Sequence, residues 1–127
     1  MYYLDLLGKT FEYGGVGPSH YDCKGLVFEL YRRSRIAFPH YESTDSVKDQ
    51  HRLFSEGLSK YAVQIDKPES YCLVMFRIRP PYVSHIGVVM KDCQKFIHIM
   101  PKSSVSVERL DSPLWINKIA GFYRLQA

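Results

Sequence analysis

The sequence predicts an α+β fold, with helices in the first half of the chain and an antiparallel sheet in the second. Up to about residue 60, apolar residues recur at helical spacing, and beyond it they alternate at the period of a strand. The links between the candidate strands are short, which favours antiparallel neighbours. We therefore expect N-terminal helices packed on a five- to six-stranded antiparallel sheet, with the strands arranged as a meander.

The length and composition predict a single domain over residues 1–127. Of its 127 residues, 46% are hydrophobic and 24% are charged, an ordinary balance for a folded domain. The net charge of +4 permits an anionic partner but selects none. No apolar run is long enough for a membrane span. The N-terminal residues do not resemble a secretory signal peptide, so we expect synthesis in the cytoplasm.

Helical signals come first along the chain. Residues 2–8 predict a short opening turn or helix. The stretch from Asp22 to about Ser34 carries one apolar stripe and ends in arginines, as expected for a helix capped by Asp22. A weaker apolar face predicts a second helix over about residues 45–57, with Thr44 as its cap. Six candidate strands follow, at residues 60–65, 71–79, 83–90, 94–100, 104–110 and 119–125.

Cys23 is the candidate nucleophile, because it falls in the first turn of the predicted helix. Unpaired backbone N–H groups and the helix dipole favour a thiolate there, with a lowered pKa. The N–H of Cys23 would contribute to an oxyanion hole, and Gly25 would leave the turn open to a substrate. The alternative is a buried structural cysteine. Cys72 falls in a predicted apolar strand and Cys93 in a predicted turn, and no catalytic role is expected for either. Three cysteines without a Cys-x-x-Cys spacing argue against a disulfide framework.

Two histidines fall on one face of the predicted sheet. If a hairpin turn is centred on Asp92 and Cys93, then Gly87 pairs with His98. His85 lies two residues further along the same strand, so it shares that face and becomes a diagonal neighbour of His98. Gly87 would leave free space between the two rings.

The cysteine and these histidines together suggest a catalytic triad. We expect the histidine face of the sheet to face the helix that begins at Cys23. Cys23 would attack, His85 would act as base and then acid, and His98 would hold the ring of His85 in the productive tautomer. The alternative is that both histidines are satisfied core residues. The remaining histidines are expected to be solvated: His20, His40 and His51.

Other kinds of site have weaker support. A zinc site built from His85, His98 and a cysteine would lack a dense ligand cluster. A nucleic-acid patch would have to come from Arg77, Arg79, Lys91 and Tyr82. Charges on strand edges more often keep those edges soluble. The loop at residues 14–17 lacks the Lys-Ser/Thr of a phosphate-binding loop. We therefore expect no metal, no cofactor and no nucleic-acid partner.

Four motifs, taken in order, resemble those of the NlpC/P60 cysteine peptidases, which are papain-like cell-wall enzymes. Residues 22–27, Asp-Cys-Lys-Gly-Leu-Val, resemble the family's Asp-Cys-Ser-Gly-Leu-Val motif. Residues 8–15 resemble its Gly-x-Pro-Tyr-x-Trp-Gly-Gly segment. Residues 85–88 resemble the strand with the catalytic histidine, and residues 96–98 resemble the Phe-Ile-His that supplies the orienting residue. The resemblance implies a papain-like, NlpC-type fold.

The resemblance also implies an activity. Members of this family are thiol proteases that hydrolyse amide bonds of peptidoglycan stem peptides, typically between D-γ-glutamate and the following diamino acid. By resemblance, catalysis falls to Cys23, His85 and His98, and the partners are peptidoglycan stem peptides.

Substrate binding is implied at Asp22, Lys24 and Tyr13. Asp22 would help to shape the end of the site that takes the substrate amine. Phe11 stands where many members have a tyrosine whose hydroxyl lies near the cysteine, and Tyr13 is the candidate to substitute for it. Lys24 replaces the usual serine, and its cation would alter substrate preference or help to hold Cys23 as a thiolate.

A narrower resemblance is to phage tail-associated peptidases, on residues 17–33, 75–80 and 119–124. It implies phage tail proteins as partners and action from a virion tail in the periplasm or cell wall. Two alternatives stay open. One is a catalytically weak structural or assembly protein of a phage tail tip. The other is amide or acyl transfer on a different substrate, such as a lipid or a non-wall peptide.

Overall fold

A computed structural model of the chain describes residues 1–38 and 46–125. In chain order these residues form β1 (Thr10–Phe11), β2 (His20–Tyr21), α1 (Cys23–Arg33), α2 (Val47–Gly57), β3 (Ala62–Ile65), β4 (Leu73–Phe76), β5 (His85–Val89), β6 (Lys95–His98), β7 (Ser106–Arg109) and β8 (Ile119–Leu125). The predicted α+β class, with helices beside a six-stranded antiparallel sheet, is confirmed. Neither of these helices is long and apolar enough to cross a membrane.

Helix α1 begins where its capping residue predicts. The side chain of Asp22 accepts a hydrogen bond from the backbone N–H of Gly25 at 2.6 Å, which satisfies a donor that has no partner within the helix. The apolar stripe of the helix is fully buried against the sheet through Leu26, Val27 and Leu30. The cap and the stripe together fix the position of Cys23, the first residue of the helix.

The opening segment of the chain is tied to the end of α1. Residues Leu4–Leu6 form a short 3-10 turn, as predicted, and bury Leu6 in the core. The guanidinium of Arg33 makes two hydrogen bonds to the carboxylate of Asp5, at 2.6 and 2.9 Å, and a third to Glu29 at 2.7 Å. This network holds the N-terminal turn against the helix.

Helix α2 starts slightly later than the sequence predicts. Its cap is Ser46, whose hydroxyl accepts a hydrogen bond from the backbone N–H of Asp49 at 3.3 Å. The predicted cap, Thr44, lies outside the described residues, so the assignment of the cap moves to the next hydroxyl-bearing residue along the chain. Phe54 and Leu58 bury the apolar face in the core shared with α1.

The sheet is not a simple meander. Its strand order is β3-β8-β4-β5-β6-β7, so the meander holds from β4 to β7 but is wrong between β3 and β4, which β8 separates. Strand β8 pairs antiparallel with both neighbours, with Phe122 opposite Ile65 on one side and Val74 on the other. A buried strand needs partners for its backbone groups on both edges, and β8 supplies them to β4. Short links alone do not reveal this insertion.

Each face of the sheet has its own core. Alternation along the strands turns Ile86, Val88 and Ile97 towards α1. The opposite face carries a second cluster: Cys72, Val74, Phe76, Val89, Phe96, Leu110 and Trp115. The centre of the sheet is therefore buried on both sides, and a polar side chain on either face must find a partner there.

One partly buried hydrogen bond ties α1 to the segment just before β4. The hydroxyl of Tyr31 donates to the backbone carbonyl of Tyr71 at 2.6 Å. Tyr31→Phe removes the donor, and we expect the free energy of unfolding in urea to fall by about 1–2 kcal/mol, since the carbonyl loses its partner. Tyr61→Phe is the matched control, because that ring is 49% exposed and should change stability by less than about 0.5 kcal/mol. Equal effects of the two variants would contradict the prediction.

Candidate active site

A cavity of about 430 Å³ lies where the start of α1 meets the start of β5. Its lining comes from four segments: Phe11, Tyr13, Asp22 and Cys23; Ser46, Val47 and Gln50; Ile78, Arg79, Ser84 and His85; and Met100, Pro101 and Lys102. Each of Cys23 and His85 is the first residue of its element. The structure therefore brings the predicted nucleophile and the predicted base to one cavity.

The two strand histidines are hydrogen-bonded to each other. Nε2 of His85 lies 2.8 Å from Nδ1 of His98. The predicted hairpin register is confirmed, since Val88 pairs with Ile97, which places Gly87 opposite His98. The space beside Gly87 is not free, however. A Cβ there would lie 2.9 Å from the carbonyl oxygen of Ile97 and 3.2 Å from Cβ of His98. Glycine is needed because the strands and rings already fill this space.

The histidine rings lie on the face of the sheet opposite α1, which corrects the predicted arrangement. Residues at alternate positions of a strand point to opposite faces, and Ile86 already packs towards the helix. The rings instead join the second core. Ring centroids of His98 and Trp115 are 4.7 Å apart, and those of His85 and Phe76 are 5.4 Å apart. Cys23 therefore meets His85 at the end of the strand rather than across the sheet.

The thiol of Cys23 is neutral in this arrangement, which overturns the expected lowering of its pKa. Burial raises the pKa of the Cys23 thiol to about 12, and the negative charge of Asp22 raises it further. The charge of Lys24 and the backbone N–H groups of Ile86 and Lys24 act in the opposite direction but are outweighed. The contact with Ile86 also places the sulfur next to the residue that follows His85.

Both histidines are also neutral near pH 7. Burial lowers the pKa of His85 well below its usual value, and the charge of a protonated His98 would lower it further. Burial lowers the pKa of His98 as well, and the carboxylate of Glu108 opposes that shift. The resting state is thus a neutral thiol beside a neutral imidazole, and a proton must move when the thiol reacts.

Glu108 is a site residue that the sequence analysis missed. Its carboxylate hydrogen-bonds Nε2 of His98 from the neighbouring strand β7. The pairing of β6 with β7 sets Glu108 opposite Phe96, so it shares the face of His98. The signal in the sequence was an acidic residue on the strand after His98. Placing Glu108 on the face of His98 would have required the register of the hairpin formed by β6 and β7.

The carboxylate of Asp22 holds two backbone segments at the cavity wall. It accepts hydrogen bonds from Gly25 and also from the N–H of Gly14 at 3.0 Å. The expectation that Gly25 leaves room for a substrate is wrong. A Cβ on Gly25 would lie 2.0 Å from the carbonyl oxygen of Gly15, so backbone fills this space. Glycine at this position allows the loop and the helix to pack directly together.

Of the other two predicted binding residues, Tyr13 lines the cavity and Lys24 does not. Tyr13 is exposed and lines the cavity, where its ring meets that of Phe11 edge-on at 4.9 Å. Lys24 is only 4% exposed and is absent from the cavity lining. Lys24 therefore acts on the site through its charge beside Cys23, while Tyr13 forms part of the wall.

The histidines expected to be solvated differ in their surroundings. His20 is exposed, and its Nδ1 lies 2.7 Å from the hydroxyl of Thr10. His51 is half-buried, which corrects the expectation, because its Nδ1 accepts a hydrogen bond from the backbone N–H of Val83 at 2.8 Å. It anchors the segment leading into β5. His40 lies outside the described residues.

Gln50 is a second cavity residue that sequence reasoning missed. It lies on α2, is only 6% exposed, and its Oε1 has no hydrogen-bond partner among the described residues. A buried acceptor that faces a cavity is suited to a donor from a bound molecule. The cavity also carries exposed cations at Arg79 and Lys102. Within residues 1–38 and 46–125, no group of three or more metal-binding side chains could hold an ion.

Buried neutral histidines make the stability of the fold depend on pH. In the folded state the pKa values of His85 and His98 lie below 6.5, the ordinary value to which they return on unfolding. Below pH 6.5 the unfolded chain therefore binds more protons, and the free energy of unfolding falls as pH falls. We expect a loss of up to about 1.4 kcal/mol per pH unit for each histidine, measured by urea denaturation between pH 7 and 5.

The variant His85→Gln tests the assignment of this pH dependence. It removes one of the two titrating groups, so its stability should fall less steeply below pH 6.5 than that of the wild-type protein. The same slope in both proteins would show that other groups cause the effect.

Solved structures that share this fold include three that belong to the NlpC/P60 group by their descriptions. An NlpC/P60 family protein from Bacillus cereus ATCC 10987 matches with a TM-score of 0.71 at 23% identity, over 94% of this chain and 36% of that one. A protein from Staphylococcus aureus Mu50, described as similar to a lipoprotein of the NLP/P60 family, matches with a TM-score of 0.67 at 21% identity. The match covers 98% of this chain and 39% of that one. NlpC2 from Trichomonas vaginalis matches with a TM-score of 0.67 at 19% identity, over 94% of this chain and 44% of that one. This chain thus spans less than half of each.

The match to a family model covers nearly the whole chain. The model described as the NlpC/P60 family matches residues 8–124 of 127, which include Cys23, His85 and His98. No match was found among curated proteins. Members of this family are generally cysteine peptidases or amidases that hydrolyse cell walls. The cysteine at the head of a helix, the strand that carries the first histidine and the six-stranded sheet are thus parts of one known domain, and the chain belongs to the NlpC/P60 family.

Proposed function

We propose that this protein is a cysteine peptidase that hydrolyses peptidoglycan stem peptides, with Cys23 as nucleophile, His85 as base and His98 as the orienting residue. The observation that carries the proposal is the hydrogen bond between His85 and His98. It occupies Nε2 of His85, so Nδ1 is the ring nitrogen left for proton exchange in the cavity that Cys23 also lines.

The first chemical step transfers a proton as the carbon–sulfur bond forms. Nδ1 of His85 takes the thiol proton while the sulfur of Cys23 attacks the amide carbonyl carbon. Since burial favours the neutral form of both groups at rest, this proton has to be transferred for the thiol to react. Backbone N–H groups at the start of α1 stabilise the oxyanion that develops.

The remaining steps return the enzyme to its resting state. The protonated His85 gives its proton to the leaving amine as the carbon–nitrogen bond breaks, which leaves a thioester on Cys23. A water molecule then attacks the thioester, with His85 again as the base. The hydroxyl of the water adds to the acyl carbon and the carbon–sulfur bond breaks. The proton that His85 took from the water passes to the thiolate of Cys23. The net reaction is hydrolysis of one amide bond.

The charges at the cavity fit a peptide that carries several ionised groups. Stem peptides contain free carboxylates beside the γ-glutamyl bond, and the exposed cations of Arg79 and Lys102 would attract them. Asp22 and Tyr13 line the wall and are proposed to contact the substrate, with Asp22 at the end that takes the amine. The unpartnered Oε1 of Gln50 would accept a substrate N–H. The favoured bond, as the family resemblance implies, is D-γ-glutamyl–diamino acid.

The decisive test follows the cleavage products by mass spectrometry. Wild-type protein, incubated with L-Ala-γ-D-Glu-diamino-acid peptides and with intact sacculi, should cut after D-Glu. Cys23→Ala should reduce the rate by more than about 1,000-fold, because the nucleophile is gone. The matched control is Cys93→Ala, a change at a half-buried cysteine that does not line the cavity, and it should retain the wild-type rate.

Other outcomes distinguish the alternatives. If neither substrate is cut but iodoacetamide alkylates Cys23 in a pH-dependent way, the site works on another amide or acyl substrate. If neither is cut and Cys23 is also inert, the structural tail-tip role is favoured. Full activity of Cys23→Ala would refute the assigned nucleophile.

We also propose that the protein acts as part of a phage tail, in the periplasm or cell wall of the host. The support is the resemblance of residues 17–33, 75–80 and 119–124 to tail-associated peptidases. Antibodies should detect the protein in purified phage particles, and disruption of the tails should release it together with tail proteins. Its absence from intact particles would exclude a tail location.

A further inference from the structure

We infer that Glu108, on the edge strand β7, is a positioning residue that sets the tautomers of both His98 and His85. The inference rests on the proposed function for the identity of the base, but the proton arrangement it specifies is a property of the free protein. Three contacts in series carry it: Glu108 to His98, His98 to His85, and His85 to the cavity of Cys23.

The first contact fixes a proton on His98. An ionised carboxylate can only accept hydrogen bonds, so Nε2 of His98, which faces Glu108, must carry the hydrogen. A neutral imidazole has one N–H, which leaves Nδ1 of His98 as an acceptor.

The second contact passes this constraint to His85. Nδ1 of His98 lies 2.8 Å from Nε2 of His85, and as an acceptor it requires a hydrogen on that nitrogen. Nδ1 of His85 then carries a lone pair, which is the state that can take a proton from the Cys23 thiol. In the opposite pair of tautomers, His98 would donate through Nδ1. The proton on His85 would then lie on Nδ1, and the ring could not act as a base towards Cys23.

Burial makes the choice of tautomer necessary. His85 is 3% exposed and His98 is 2% exposed, and Trp115 and Phe96 pack against His98 with ring centroids 4.7 and 4.6 Å away. Water therefore cannot supply alternative partners freely, and rings kept neutral by burial must each choose one nitrogen for the hydrogen. An acceptor-only group at one end of the series decides both choices.

Glu108 acts from a position that the substrate does not reach. Its side chain is 31% exposed, and it opens onto an outer depression formed with Arg109, Asp111, Ser112 and Pro113. It does not line the cavity that holds Cys23. A change at Glu108 should therefore alter the chemical step, seen in kcat, and leave KM nearly unchanged.

The neighbouring charges are arranged so that Glu108 alone meets the imidazoles. Arg109 and Asp111 pair with each other at 2.8 Å in the outer depression. Lys118 lies over the ring of Trp115, with its Nζ 5.3 Å from the ring centroid. Among the hydrogen bonds and ion pairs of the described residues, the partners of the rings of His85 and His98 are each other and Glu108.

The experiment reads the tautomers directly. In full-length protein labelled with 15N-histidine, two-dimensional NMR near pH 7.5 should show hydrogen on Nε2 and a lone pair on Nδ1 for both His85 and His98. Glu108→Gln offers a donor as well as an acceptor, so both rings should show mixed or reversed tautomers. Glu108→Asp restores an acceptor-only group and should return the rings towards the wild-type pattern.

Kinetics provide the second readout. Glu108→Gln should lower kcat by about 10- to 100-fold with KM within about twofold. This is smaller than the loss of about 10⁴-fold for amide replacement of a carboxylate that touches the catalytic histidine directly. Glu56→Gln is the matched control, an identical change in the exposed pair with Arg52 on α2, and it should match the wild type.

The outcomes separate this inference from the proposed function. Wild-type protein with hydrogen on Nδ1 of His85, or Glu108→Gln with wild-type tautomers and kcat, would overturn the role of Glu108. If the wild-type protein cuts no stem peptide, the NMR tautomers and the alkylation rate of Cys23 by iodoacetamide still decide it. The tautomer change and slower alkylation in Glu108→Gln would then support the inference while the substrate assignment fails.

Discussion

The hydrogen bond between His85 and His98 is the contact on which the candidate site depends. It exists only because the hairpin of β5 and β6 is held in one register, and a slip of one residue would send the two rings to opposite faces. The same register leaves no room for a side chain at Gly87. Once two imidazoles are buried among aromatic rings, their polar atoms need partners, and Glu108 meets that need from the next strand.

The thiol of Cys23 and the imidazole of His85 are both uncharged in the resting protein. A thiol with a raised pKa and an imidazole with a lowered pKa do not form an ion pair before substrate arrives. In the proposed reaction, charge would separate only in the chemical step, where backbone N–H groups at the start of α1 and the carboxylate of Glu108 would offset it.

Local patterns in the sequence were sufficient for the elements that carry the site. The cap at Asp22, the helix from Cys23 and the hairpin register follow from spacing and turn position, because each depends on residues close along the chain. The properties that sequence did not reveal depend on the whole fold. The insertion of β8 into the sheet, the face that α1 covers and the desolvation of Cys23 involve distant segments. Predicting the contact of Glu108 with His98 would have required the registers of two successive hairpins, β5 with β6 and β6 with β7.

The place of β8 in the sheet also determines when the fold can be completed during synthesis. Residues 119–125 form an interior strand between β3 and β4, yet the ribosome makes them after every other strand of the sheet. Until they emerge, β3 and β4 have unpaired edges, and an incomplete chain would be exposed to aggregation and proteolysis. Folding is therefore completed late in synthesis, and any extension fused after β8 would begin from an interior strand, one strand away from the edge of the sheet.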